Sequence, residues 1–508
     1  MILQAVEARQ HHLELAEAIE TRFEVARWRG GDVDLWPLAS ADLFLDIFDA
    51  AGGRTAPPAR PFVHRAAASL ATLLTNAWKS RHDRQHFLPH PVPADTIFLG
   101  DGVSLDRIDG AWRDRYGAPV MAALERQGRT CFLMQQGELN RLPWERPSFA
   151  ANRIAVRAAL GAALLPGPPA ILPDYDDVIA FLHSAGVQAP SLLPARLARR
   201  LRSVAAAAAT FQRVLRRVRP RLAFTVTYYA GLGHAFALAC RREGVLCVDL
   251  QHCPQAGTHR PYVWHRVPSH GYSTVPAMFW TWSADDAAHI AQWARAPWHR
   301  AIHGGHTQLA SQFDALAPSS NFEREILIAL QPIGGYRAMW QRLAQRIQQA
   351  PAGWRWWIRR HPSASLVQDA EYPDLLALRQ RNVVVEEACA LPLPVLLPRM
   401  SAVVSLMSGV AVEAASFGVP ALFLHESALA AFPGIVARGQ AELVELDGLA
   451  SRIAALPMRP TRPIMEPMPP IEEMLHRLDE LAGEYAGLCG GGATQHQRKT
   501  SGKKAVLF

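Results

Sequence analysis

In the last third of the chain, short apolar runs alternate with helical stretches at a spacing that admits few folds. ILIALQPIGGY (326–336) is followed by RAMWQRLAQRIQQA, WRWWIRRHP (354–362), a polar patch and NVVVEEA (382–388). A short PLPVLL element, AVVSLMS, the small-residue helix GVAVEAASFG and VPALFLHE complete the series. Runs this apolar, each bounded by helix, predict parallel strands buried on both faces. The pattern occurs earlier in RLAFTVTYYAGLGHAFALACRREGVLCVDLQHC (221–253), and again across 95–134. The fold class expected is therefore α/β, with two Rossmann-like doubly wound domains. The polar, proline-containing HTQLASQFDALAPSSNF reads as their linker. The expected division is an N-terminal Rossmann-like domain with helical additions (1–305), the linker (306–322), a C-terminal Rossmann-like domain (323–465), a helix packing back (466–488) and a flexible basic tail (489–508).

At 508 residues and 49% apolar content the chain can bury more than one core. The first twenty residues lack the basic start and apolar block of a secretory signal. The longest apolar candidate, VRAALGAALLPGPPAILP, carries four prolines and is too broken to span a bilayer. Six scattered cysteines without CxxC pairs suit a reducing compartment, so a cytoplasmic location is expected. The net charge of +8 owes much to the end of the chain. Setting aside Arg498, Lys499, Lys503 and Lys504 leaves 49 basic against 45 acidic residues, which weakens any case for nucleic acid. The arginine-rich stretch 196–221 has the spacing of a solvated helical face. Together with the tail it raises the expectation of peripheral contact with an acidic inner-membrane surface.

In doubly wound sheets, ligands bind beyond the carboxyl ends of the strands. The suggestive groups fall there: Gly334 and Gly335, then Arg359, Arg360, His361 and Pro362, then Glu386 and Glu387, then Ser405, Ser408 and Gly409. Two arginines and a histidine at a strand end suit an anion. Two serines on a turn before a helix suit a phosphate. Glu413, eight residues after Ser405, lies about two turns along and could accept hydrogen bonds from ribose hydroxyls. Against each stands a plainer reading: a strand-ending turn at His361-Pro362, and small residues that merely let a helix approach a sheet.

Two such domains with EAASFGVP in the second resemble a glycosyltransferase of the GT-B fold, whose domains face each other across a cleft. By that resemblance Glu413 takes the place of the acidic residue that binds the donor's ribose. Ser405 stands where many members carry histidine or glutamate. A strand ending in R-x-H-P with a later serine pair further resembles bacterial sialyltransferases and capsule transferases that use CMP-activated sugars. The resemblance implies that His361 with Arg359 or Arg360 neutralises the donor phosphate and that Ser405 and Ser408 bond to it. LQHCPQAGTHRPYVW is similar to the Q-H-G loop of capsule and glycerophosphate transferases, with Cys253 in place of glycine.

The acceptor's base is expected from the N-terminal domain. Asp101 in FLGDG is the first candidate and His252 the next; the plainer reading of Asp101 is a turn aspartate bonding its own backbone. The histidines around 252–270 match no zinc spacing, so no metal is expected, and no G-x-S-x-G elbow is present. The function expected is transfer of a sugar from a nucleotide sugar, CMP-linked first and UDP-linked next, to a bacterial surface glycan or lipid-linked acceptor. The nucleotide sugar is a co-substrate and no cofactor is required. A glycerol-phosphate or polyol-phosphate transferase of related fold, or a non-catalytic glycan-binding member, are the alternatives.

Overall fold

A computed structural model describes residues 3–51, 62–137, 139, 141–164, 167–253, 257, 259–310, 322–331, 335–361, 371–458 and 469–500. Two parallel sheets organise it. The first contains β1 (Thr96–Leu99), β2 (Cys131–Gln135), β3 (Phe149–Ala150), β4 (Leu222–Val226), β5 (Leu246–Leu250), β6 (Met278–Thr281) and β7 (Arg300–His303). Their order is β7-β6-β5-β4-β1-β2-β3. The second contains β8 (Arg324–Ala329), β9 (Trp354–Arg359), β10 (Val383–Val384), β11 (Ala402–Ser405), β12 (Ala421–Phe423) and β13 (Ala441–Leu443), ordered β10-β9-β8-β11-β12-β13. Every pairing in both is parallel. Each order reverses direction beside its first strand, β1 or β8, which creates the crevice where doubly wound sheets take ligands.

The tryptophans of WRWW show why β9 reads as a continuous apolar run. Trp354 and Trp356 enter one core and Trp357 the core on the opposite face, so alternation inward and outward leaves no polar side. The Trp357 indole N–H donates to Glu325 at 2.6 Å, and the guanidinium groups of Arg355 and Arg399 stack over its ring at 4.8 and 4.7 Å. The covering helices include α1 (Gly117–Arg126), α2 (Pro194–Val218), α3 (Gly233–Glu243), α4 (Arg337–Gln348) and the two-turn α5 (Val410–Ser416). On α2 the stripe Leu197, Leu201, Val204, Ala208, Phe211 and Leu215 is buried at helical spacing, which leaves its arginines on the other faces.

α6 (Ile471–Thr500) buries Ile471, Met474, Leu475, Leu478, Ala482 and Tyr485 against the N-terminal domain. This helix extends into the segment expected as a flexible tail, because the apolar spacing that starts it continues as uninterrupted helix through the glycines; residues 501–508 lie outside the described residues. The beginning of the expected linker is likewise ordered on the N-terminal domain. The Thr307 hydroxyl donates to the Tyr116 carbonyl at 3.0 Å and the Gln308 amide to Asp106 at 2.7 Å. Residues 311–321 of that linker lie outside the described residues.

Glu20, fully buried on the first helix (Leu3–Arg22), fastens this helix to the 260–266 loop. Its carboxylate accepts from the Trp36 indole at 2.6 Å, from Arg260, and from the backbone N–H groups of His265 and Arg266 at 2.6 and 3.2 Å. Removing it strands Arg260, itself 5% exposed, without a counter-charge. Glu20→Ala is therefore expected to cost about 3–5 kcal/mol, read as an earlier unfolding transition in urea.

Candidate active site

A cavity of about 370 Å³ opens between the two sheets, lined from one side by Asp101, Arg115, Tyr116, Thr227 and His252, and from the other by Arg359, Arg360, His361, Ser408, Gly409 and Glu413. Both predicted catalytic residues and most of the predicted phosphate and ribose residues thus meet in one space. The exceptions are informative. Ser405 is buried away from the cavity, and its hydroxyl accepts the Ser408 N–H at 3.2 Å, so it shapes the turn that presents Ser408. Glu386 points to solvent and pairs with Arg360 at 3.4 Å. Gly335 is exposed and donates its N–H to Glu371 at 3.0 Å, away from the lining. Gly334 and Pro362 lie outside the described residues.

The C-terminal wall is held by backbone bonds. Arg359 is 7% exposed, and one of its guanidinium nitrogens donates to the carbonyls of Ala388 and Leu391, each at 2.5 Å. Its own charge is thereby tied to the end of the sheet beneath the loop. Gln331, beyond β8, fixes the neighbouring turn by donating to the Met407 carbonyl at 2.9 Å and accepting the Met407 N–H at 2.8 Å. Glu413 is 5% exposed, and its Oε2 has no hydrogen-bond partner among the described residues. Burial pushes this carboxyl up to about 7 against the opposing pull of Arg115 and Arg359. A buried carboxylate oxygen without a donor is costly, and a pair of ligand hydroxyls would relieve it. α5 has only seven residues, so this wall acts through Ser408, Glu413 and the loop after β9.

On the N-terminal wall, Asp101 follows β1. Its carboxylate accepts the N–H groups of Val103 and Ser104 at 2.8 and 2.7 Å, the Ser104 hydroxyl at 2.7 Å and the Thr227 hydroxyl at 3.3 Å. A carboxylate has about four lone-pair sites, and four donors already face them. The plainer turn reading of Asp101 is realised even though the residue faces the cavity. Thr227, a β-branched residue, sits at φ +57°, a strained conformation rare for its type. Gly233 begins α3 so close to the Tyr228 carbonyl that a Cβ would lie 2.2 Å from that oxygen.

His252 is held by its neighbours on both sides. The Tyr116 hydroxyl donates to its carbonyl at 3.0 Å, and its Nε2 lies 3.2 Å from the Tyr229 hydroxyl. Its Nδ1 has no partner among the described residues. Burial lowers its pKa to about 4 while the Asp101 charge opposes the fall, so the ring is neutral at pH 7. Gln251 clamps the loop, accepting the Trp282 N–H at 2.7 Å and donating to the Cys253 carbonyl at 2.9 Å. Cys253, where the resembling loop has glycine, places its sulfur 3.2 Å from His259 Nδ1.

Sequence reasoning missed Arg115. It projects from a hairpin of strands Leu105–Ile108 and Ala111–Asp114, whose Asp109-Gly110 turn has φ of +50° and +82°, the two positive values that a tight hairpin needs. Arg115 pairs with Asp106 at 3.0 Å, and its charge acts on Glu413, Arg359 and His361 of the other domain. The signal was the charge alternation in SLDRIDGAWRDRYG beside a D-G turn.

Buried titrating groups give this fold a defined response to acid. Burial lowers His12, His234 and His306 to about 3 and His252, His299 and His361 to about 4. Unfolded, these rings bind protons near pH 6.5, so the unfolded state gains protons first and stability rises with pH from about 4 to 6.5. Asp114, Asp249 and Glu413, raised by burial to about 7, work in the opposite direction over the same window. The histidines outnumber them. Melting temperature is expected to climb between pH 4.5 and 6.5 in a differential scanning calorimetry series; a fall across that window would contradict the assignment of neutral buried histidines.

No family model matches the sequence, and no curated protein matches it. Among solved structures, the chain is similar to the glycosyltransferase SnogD from Streptomyces nogalater, with 16% identity, 79% of this chain and 98% of that one covered, and a TM-score of 0.39. It is also similar to the UDP-GlcNAc 2-epimerase from Methanocaldococcus jannaschii, with 10% identity, coverage of 75% and 98%, and a TM-score of 0.43. The glycosyltransferase of kitacinnamycin gives 11%, coverage of 80% and 99%, and 0.41. Nothing about substrate follows from neighbours this distant. The architecture follows from the strand orders themselves: two Rossmann-like domains facing across a cleft, the GT-B arrangement.

Proposed function

We propose that this protein is a glycosyltransferase that takes a sugar from a nucleotide-sugar donor, CMP-linked in preference to UDP-linked, and delivers it to a hydroxyl of a glycan or lipid-linked acceptor. The observation that carries the reading is the interdomain cavity: cationic and hydroxyl groups from both domains surround a buried carboxylate that has an oxygen without a partner. Arg115, Arg360, His361 and Ser408 would face the donor's phosphate, and Glu413 its ribose. As the bond from the sugar to the phosphate oxygen breaks, negative charge gathers on the departing nucleotide. Preorganised donors aimed at that charge do most of the work.

His252 is the stronger candidate for base. Its ring is neutral, and with the ring proton on Nε2, donated to the Tyr229 hydroxyl, the unpartnered Nδ1 is the basic nitrogen, whereas the lone pairs of Asp101 are already engaged. The acceptor hydroxyl would lose its proton to His252 as its oxygen attacks the sugar, and the Asp101 charge would stabilise the imidazolium that forms. The bond from acceptor oxygen to sugar forms as the bond from sugar to phosphate oxygen breaks, which inverts the anomeric centre. No disulfide joins cysteines among the described residues, in keeping with a reducing, cytoplasmic setting. Mass analysis of products from CMP-sugar, UDP-sugar and CDP-glycerol donors is the test. Free nucleotide with the sugar's mass added to the acceptor supports the proposal. A phosphate-bearing product would instead establish phosphopolyol transfer, and acceptor binding with no donor turnover a glycan-binding protein.

A further inference from the structure

A second cavity, of about 440 Å³, lies wholly within the N-terminal domain and shares a wall with the first. Ala230 lines both cavities. Tyr229, which lines the second, meets His252 of the first at 3.2 Å, and His259 of the second meets Cys253 of the first, also at 3.2 Å. A volume of this size is within the range that holds small organic ligands, about 300–1,000 Å³.

Its lining specifies what can occupy it. Phe44, Tyr229, Pro261 and Trp264 provide apolar and aromatic faces. The charged groups in the wall are matched: Arg260 is paired with Glu20 and stacked on Trp264 at 4.2 Å, and Arg200 stands 3.5 Å from Asp42. Each cation in the wall thus stands beside an acid, so among the described residues the lining carries no net positive charge to draw a phosphate or carboxylate.

His234 supplies the polar requirement. It is 3% exposed, and its Nδ1 lies 2.8 Å from the Thr274 carbonyl. A carbonyl only accepts, so Nδ1 carries the ring proton and Nε2 is a bare acceptor. No group among the described residues donates to Nε2, although the side chain lines the cavity. A buried acceptor without a donor calls for one.

We infer that this cavity is the seat of the acceptor, and that it takes an uncharged, hydroxyl-bearing ligand with an apolar face, one hydroxyl donating to His234 Nε2 and the face resting on Trp264 and Tyr229. The inference rests on the reading of the first cavity as the donor site, since it is the wall shared at Ala230, beside the contact of Tyr229 with His252, that makes the occupant an acceptor. A neutral sugar ring and a hydroxylated aromatic share this chemistry. Acidic sugars do not.

Saturation-transfer NMR titrations of the full chain with lactose, sialyllactose and catechol test it. The expected result is binding of lactose or catechol, weakened about tenfold in His234→Phe, which keeps the ring volume and removes the acceptor. Ala41→Trp, which fills the cavity from its helix, should abolish binding, with circular dichroism and melting temperature confirming the fold of both variants. His361→Ala should bind as the unaltered protein does. Lactose alone identifies the saccharide as the source, and catechol alone the aromatic. Equal or tighter binding of sialyllactose, no binding of either neutral probe, or binding indifferent to both His234→Phe and Ala41→Trp overturns the inference. Binding that persists while CMP and UDP fail to bind would overturn the donor assignment and leave this ligand site standing.

Discussion

His252→Ala is expected to lower kcat by about 10²- to 10⁴-fold while leaving nucleotide binding intact, since a positioned general base contributes on that scale. The expectation follows from its setting. The backbone of His252 is fixed by Tyr116, one ring nitrogen meets Tyr229, and the other is bare and buried in the cavity wall. Asp101→Asn tests the division of labour. If Asp101 acts through charge on His252, its loss should weaken kcat less than the histidine's does, and should lower the pH at which the rate falls off in acid, because the charge that raises the His252 pKa is gone. A larger effect from Asp101→Asn than from His252→Ala would return Asp101 to the role of base.

Arg115→Met is expected to cost about 10²- to 10³-fold in kcat/KM for the donor, the scale on which a preorganised donor to developing charge is lost. It also exposes a structural debt, because Asp106, 5% exposed, loses its ion-pair partner and, among the described residues, keeps the Gln308 amide alone. Breaking a buried pair from one side costs about 3–5 kcal/mol. The double variant Asp106→Asn, Arg115→Met separates the two effects. Stability should return toward that of the unaltered protein in urea denaturation while the activity loss remains. Recovery of activity along with stability would show that Arg115 only holds the hairpin.

Legibility from sequence differed between the two halves for a physical reason. In the C-terminal domain, β8, β9, β11 and β12 are buried on both faces and read as apolar runs, so the groups at their carboxyl ends could be named by residue. His361, Ser408 and Glu413 are in the cavity. In sequence alone Ser405 passes for a ligand group, because a hydroxyl on a turn looks the same whether it faces a cavity or caps the turn, and its bond to the Ser408 N–H distinguishes them. Asp101 stands first as base in sequence for a similar reason: sequence shows the carboxylate and not the donors that surround it. Arg115 escaped because its position in the interdomain cavity depends on a hairpin folded onto the N-terminal domain, a tertiary fact carried by only eight strand residues and a D-G turn. The second cavity was invisible because the elements that line it are separated by more than two hundred residues, from His12 to Trp264.

The proposed function requires the interdomain cavity to hold a nucleotide through His361 and Glu413. The most direct test is a thermal-shift titration of the full chain with CMP, UDP, GDP and CDP, repeated on His361→Ala and Glu413→Ala. Stabilisation follows affinity for the folded state, so one series ranks the nucleotides. The largest shift is expected with CMP, reduced or lost in both variants. No shift with any nucleotide, or a shift that neither variant reduces, would contradict it.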